Sequence, residues 1–115
     1  MRTLNDYFIT AKIADISTAS STFVGIPDGG RIIKIITALQ GTIATADGAI
    51  TFEIGGTAIT GGAISVTQSG SAAGDVDTST PTAANDVAEE GTIEMITDGA
   101  SSNAIVLYIT FVIRR

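Results

Sequence analysis

The two side chains that do most catalytic and metal work are missing, since neither His nor Cys occurs among the 115 residues. Their absence removes the commonest general base, the commonest metal ligand, thiolate chemistry and every disulfide, and it leaves the redox compartment unreadable. A nucleophilic Ser without His needs a Lys, and the only lysines, Lys12 and Lys34, fall in expected strands with no Ser-x-x-Lys spacing. Gly70-Ser71-Ala72-Ala73-Gly74-Asp75 is glycine-rich but matches neither the Walker A pattern nor the dinucleotide fingerprint, and it reads as a flexible turn. Asp75-Val76-Asp77-Thr78-Ser79 opens like a calcium loop, with oxygens at positions one, three and five. It then fails, because Thr80 stands where Gly makes the sharp turn and Asp86 where a bidentate Glu closes the shell.

Paired carboxylates are the one catalytic route left. A glycosidase needs two acids about 5–10 Å apart, in a cleft usually lined by aromatics. This chain has no Trp and only Tyr7, Phe8, Phe23, Phe52, Tyr108 and Phe111, several of them expected in the core. No catalytic residue, cofactor or metal ligand is therefore assigned, and no enzyme is expected.

Charge is sparse and unevenly placed. Only 16% of residues are charged against 44% hydrophobic, where soluble domains carry roughly 25% charged residues. The net charge is −6, and the six basic residues, Arg2, Lys12, Arg31, Lys34, Arg114 and Arg115, leave residues 35 to 113 without a cation. That stretch holds Asp47, Glu53, Asp75, Asp77, Asp86, Glu89, Glu90, Glu94 and Asp98. Nucleic acid is not an expected partner, because phosphate neutralisation needs clustered Lys and Arg with stacking aromatics. If the basic ends meet in space, the molecule has one basic and one acidic side. Met1 is followed by no apolar h-region and no apolar run approaches a membrane span of about 20 residues, so neither a secretory signal nor a membrane partner is expected.

The elements that would position these residues are strands. In Ala49 to Ile54, the apolar Ile50, Phe52 and Ile54 alternate with Ala49, Thr51 and Glu53, and Ile64 and Val66 alternate likewise within Ala63 to Thr67. Pro27-Asp28-Gly29-Gly30 separates Thr22 to Ile26 from Arg31 to Leu39, Gly61-Gly62 separates two further runs, and Asp47-Gly48 and Asp98-Gly99 are expected type I′ turns. No segment sustains a helical period. Strands at this spacing predict one all-β domain over 1–115, a small antiparallel β-sandwich or barrel. Residues 69–90 are small and acidic and are expected as one long loop, with a helical turn near Ala83 to Val87. It serves either a lattice contact or a solvated crossover.

Two strands carry more apolar surface than one buried face needs. Arg31 to Leu39 contains Ile32, Ile33, Ile35 and Ile36, and Ile105 to Ile113 puts Val106, Tyr108 and Val112 on the face opposite its five core residues. Either the opposite sheet at a central position or a neighbouring subunit must cover the second face, and the subunit is the favoured reading.

Met1 to Ile9, Pro27 to Arg31, Gly70 to Asp75, Pro81 to Asn85 and Thr97 to Gly99 together resemble small tailed-bacteriophage head proteins of the decoration, or cement, type. The resemblance implies a compact jelly-roll-like β-domain, a homotrimer, and the major capsid protein as partner. It implies a place on the outer surface of the virion, after synthesis in the host cytoplasm, and a structural role there. Such proteins have no active site to carry over, so only contact residues are expected: Tyr7, Phe8, Ile32, Ile36, Val106, Tyr108 and Val112. Residues 1–16 would be either an arm adding to a capsid strand or simply the first strand of the sandwich. The alternative function is a carbohydrate- or receptor-binding module of a phage fibre or head appendage, which would require exposed aromatics or calcium in the acidic stretch.

Overall fold

A computed structural model of the chain describes residues 4–115. Ten strands form among the described residues: β1 (Asp6–Ile13), β2 (Ser20–Gly25), β3 (Gly30–Leu39), β4 (Gly48–Ile54), β5 (Thr57–Ala58), β6 (Ile64–Val66), β7 (Val76–Ser79), β8 (Asp86–Val87), β9 (Thr92–Thr97) and β10 (Leu107–Arg114). All pair antiparallel, in two sheets. Sheet A runs β1-β10-β3-β7 with β8 also on β3, and sheet B runs β2-β9-β4-β5 with β6 also on β4. When β5/β6 and β7/β8 are each read as one interrupted strand, the two four-stranded orders are those of a jelly roll, and the chain crosses between the sheets at every connection except β4 to β5. The sandwich measures 39 × 29 × 21 Å.

Alternation builds the core. Leu107, Ile109, Phe111 and Ile113 of β10 turn inward against Ile50 and Phe52 of β4 and Ile93 and Met95 of β9, all of them buried. Phe52 and Phe111 meet edge to face between the sheets at 5.6 Å. Each such side chain contributes roughly 1.5–3 kcal/mol by leaving water.

The register of β3 departs from simple alternation. Val112 pairs with Lys34 and Ile113 with Ile32, so Ile33 is an extra residue, a β-bulge that flips the strand's phase. Ile32 and Ile35 consequently both face the core, while Lys34 and Ile36 face out. The break between β7 and β8 lies beside the bulge. There Asn85 takes over, accepting from the Ile32 amide at 2.9 Å and donating Nδ2 to the Ile32 carbonyl at 2.7 Å.

Several expectations change here. Residues 69–90 are not one loop: they supply β7 and β8, the interrupted outer strand of sheet A. The expected helical turn is instead an isolated bridge at Ala83, a bend at Ala84 and β8. Gly48 is no turn residue either. It opens β4, where a Cβ would come within 2.9 Å of Ile16. The two-residue turn with positive φ at both positions is Gly55-Gly56, which joins β4 to β5.

Candidate interaction surface

The outward side chains of sheet A form rows fixed by register. At one end Asp6, Arg114, Arg31 and Asp86 stand abreast across β1, β10, β3 and β8. Arg114 grips Asp6 with two bonds, Nε to Oδ1 at 2.8 Å and Nη2 to Oδ2 at 3.1 Å, which raises the guanidinium pKa. Arg31 meets Asp86 at 3.3 Å in an open pair, a geometry that contributes at most about 1 kcal/mol.

Beyond this ladder the face is apolar, hydroxyl and cationic. Phe8, Val112 and Lys34 make the next row; Thr10, Thr110, Ile36 and Thr78 the one after; Lys12, Tyr108, Ala38 and Val76 the last. The Thr10 and Thr110 hydroxyls bond at 3.1 Å. Phe8 (58% exposed), Tyr108 (42%) and Val76 (60%) project to solvent. No carboxylate lies on these three rows.

Sheet B is different in kind. Its strands hold no basic residue, and Glu53 stands directly opposite Glu94, with Phe23 (63% exposed) next in the row. Like charges directly opposite one another are destabilising, yet among the described residues no cation on this face separates them. Every described basic residue lies on a strand of sheet A or, as Arg115 does, directly after one. The described basic residues from the two ends of the sequence, Lys12, Arg31 and Lys34 with Arg114 and Arg115, do meet on one side of the sandwich.

The two long sides of the sandwich also differ. On one, the connections knit the sheets together: the Thr60 amide donates to Ala83 O, the Thr82 amide to Thr60 O and the Ser79 hydroxyl to Gly62 O, at 2.8–3.0 Å. On the other, β1 and β2 are the terminal strands of their sheets. Their inward residues Tyr7, Ile9, Ala11 and Val24 are only partly buried.

Cavities gather at the end that holds the charged ladder. One of about 440 Å³ is lined by Arg31, Asp86, Arg114 and Arg115, and another of about 560 Å³ by Asp6, Tyr7, Asp28 and Glu89 among others. Tyr7 is their one aromatic, and its hydroxyl donates to Asp28 O. Burial, and then the Asp28 charge, raises the Tyr7 pKa. Arg115 pairs with the Asp28 carboxylate.

No protein-family model matches the sequence, and no curated protein matches it. A solved structure does. It is a chain of the acidic stable capsid structure of Helicobacter pylori bacteriophage KHP30, which aligns over 96% of this chain and 87% of its own length. The TM-score is 0.57 and the identity 14%, so the likeness is one of fold.

Of the expected contact residues, the structure brings Phe8, Ile36, Tyr108 and Val112 together on the outer face of sheet A, with Val112 buried in its row. Val106 precedes β10 and is half-buried, its carbonyl accepting from the Gln40 amide at 3.1 Å. Tyr7 turns inward. Ile32 belongs to the core rather than the surface, because the bulge at Ile33 places Ile32 and Ile36 on opposite faces. The N-terminal segment forms edge strand β1 from Asp6, and residues 1–3 lie outside the described residues. Lys12, Lys34, Thr10, Thr110 and Val76 complete the face. Alternation could have placed the first four, since each lies at an even position beside inward residues of odd number, Ile9, Ala11, Ile13, Ile35, Ile109 and Phe111.

Two of the oxygens weighed for other chemistry hold the fold together. Ser71 Oγ bonds both the amide and the carbonyl of Ile43 at 3.0 Å, which makes the glycine-rich turn a staple. Asp75 caps its own turn through the Ala72 amide at 2.9 Å. Burial, and then the neighbouring Asp75 charge, raises the Asp77 pKa.

Proposed function

We propose that the protein is a structural component of a phage virion, a decoration or cement protein that binds the outer surface of the head and stabilises it. The observation that carries this reading is the likeness of nearly the whole chain to a capsid chain of phage KHP30. The site chemistry agrees with it: Ser71 is engaged in a staple, Asp75 in a cap, and Asp6 and Asp86 in the charged ladder. A sheet face with exposed Phe8, Tyr108 and Val76 beside hydroxyls and two lysines offers shape and apolar area to a protein partner. The proposed partner is the major capsid protein, and the contact is the outer face of sheet A, including Phe8, Ile36 and Tyr108.

A cement protein gains by engaging several identical sites at once, since each later contact becomes intramolecular. Association of copies into a homotrimer is part of the reading, through the side where β1 and β2 end their sheets. Multi-angle light scattering checks it: three times the chain mass is expected, and a monomer at every salt concentration contradicts it. The function itself is tested by adding the protein to heads assembled without it. Binding should be saturable, and decorated heads should retain their genome at temperatures where bare heads release it; heads that neither bind nor gain stability contradict the reading.

A further inference from the structure

The sorting of charge between the two sheets carries one step more, which rests on the decoration reading and adds the chemistry of the surface bound. The molecule is acidic as a whole, at −6. Yet the outer face of sheet A beyond its charged ladder holds Lys12 and Lys34 and no carboxylate, while sheet B holds Glu53 and Glu94 and no cation. From this we infer that the outer face of sheet A docks on a shell surface rich in carboxylates, with sheet B turned away from the shell.

Charge complementarity selects the occupant. A second copy laid sheet A to sheet A sets two faces that carry lysines and no carboxylate beyond the ladder against each other, which is repulsive. Laid sheet A to sheet B, the charges match, but the two faces point in opposite directions, so the contact repeats into an open stack and never closes. A different, acidic protein surface meets neither objection. The arrangement also orients the approach, because an acidic shell repels sheet B and attracts sheet A, and the encounter becomes sensitive to ionic strength. Once docked, Phe8, Tyr108 and Val76 supply the apolar area beside the two lysines, and Thr10, Thr110 and Thr78 supply hydroxyls to the partner's carboxylates.

The test is co-sedimentation with heads assembled without the protein, over a series of sodium chloride concentrations. Lys12→Glu/Lys34→Glu and the milder Lys12→Gln/Lys34→Gln are compared with Glu53→Gln/Glu94→Gln, and circular dichroism checks that each folds. The unaltered protein should bind more weakly as salt rises, the charge reversal should cost about tenfold or more in affinity, the neutralised lysines should fall between, and the sheet B variant should bind at least as well as the parent. Binding indifferent to salt and to both lysine variants overturns the inference while leaving the decoration reading intact. Loss confined to the Glu53/Glu94 variant also overturns it, by placing sheet B on the shell. Failure of the unaltered protein to bind at all overturns the decoration reading, and the inference falls with it. If the lysine variants abolish self-association in light scattering but leave head binding unchanged, the occupant is a second copy and the inference is wrong.

Discussion

Ile33 is the residue on which the two faces of sheet A turn. As the extra residue of a bulge it sends Ile32 inward and Ile36 outward, although the two share sequence parity. Truncating each to Ala separates them. Ile32→Ala should cost about 2–5 kcal/mol in urea unfolding, as a buried Ile does, whereas Ile36→Ala should stay within about 1 kcal/mol; equal costs would contradict the phase shift. Two carboxylates make opposite predictions with pH. The Ser17 side-chain and backbone bonds, with a further one from Thr18, hold the Asp15 pKa below its ordinary value. Asp15 thus stabilises the fold above the unfolded carboxylate range and loses that contribution as pH falls through its lowered pKa. Asp77 is raised, so its ionised form opposes folding: its contribution is fully favourable below the unfolded value and is lost as pH rises through the raised one. Asp77→Asn should therefore raise the melting temperature at neutral pH and leave it nearly unchanged in strong acid, and Asp15→Asn should lower it at neutral pH.

At the level of strands, legibility followed apolar alternation. Thr22 to Ile26, Arg31 to Leu39, Ala49 to Ile54, Ala63 to Thr67 and Ile105 to Ile113 all coincide with strands to within a few residues, because in each the core face dictates register. β7 and β8 were illegible for the converse reason. Val76-Asp77-Thr78-Ser79 and Asp86-Val87 have almost no apolar face, and their pairing is imposed by the edge of β3. Excess grease on β3 and β10 was legible as well, but its destination was not. The bulge, invisible in composition, sends Ile32 and Ile35 together to the core, so less apolar surface is left over than simple alternation implies. Beyond the bulge β3 runs tight against β10: a Cβ on Gly30 would lie 2.7 Å from Arg114 O and from Ile113 Cγ2. Gly30→Ala should cost roughly 1–3 kcal/mol, measured by urea unfolding, and a neutral result would contradict that close packing.

For the whole molecule, the basic and acidic sides could be foreseen only as a condition, that the chain's ends meet in space. The jelly-roll order meets it by setting β1, β10 and β3 side by side, which gathers Lys12, Arg31, Lys34 and Arg114 on one sheet and leaves Glu53 and Glu94 on the other. Sequence could not give this, since it depends on which strands pair across the full length of the chain. A thin sandwich with one knit side, one side of sheet-terminal strands and two faces of unlike charge presents chemically different sides to a partner. Tyr108→Asp should accordingly weaken attachment to heads while leaving the β-sheet circular dichroism unchanged, and undiminished attachment would remove Tyr108 from the contact.

The central claim, that the outer face of sheet A is the face set against a phage shell, is tested most directly by hydroxyl-radical footprinting of the protein free and bound to heads. Phe8, Tyr108 and Phe23 are all exposed aromatics that report on it, the first two on sheet A and the third on sheet B. Binding should shield Phe8 and Tyr108 and leave Phe23 as reactive as in the free protein. Shielding of Phe23 with Phe8 and Tyr108 unchanged would contradict that claim.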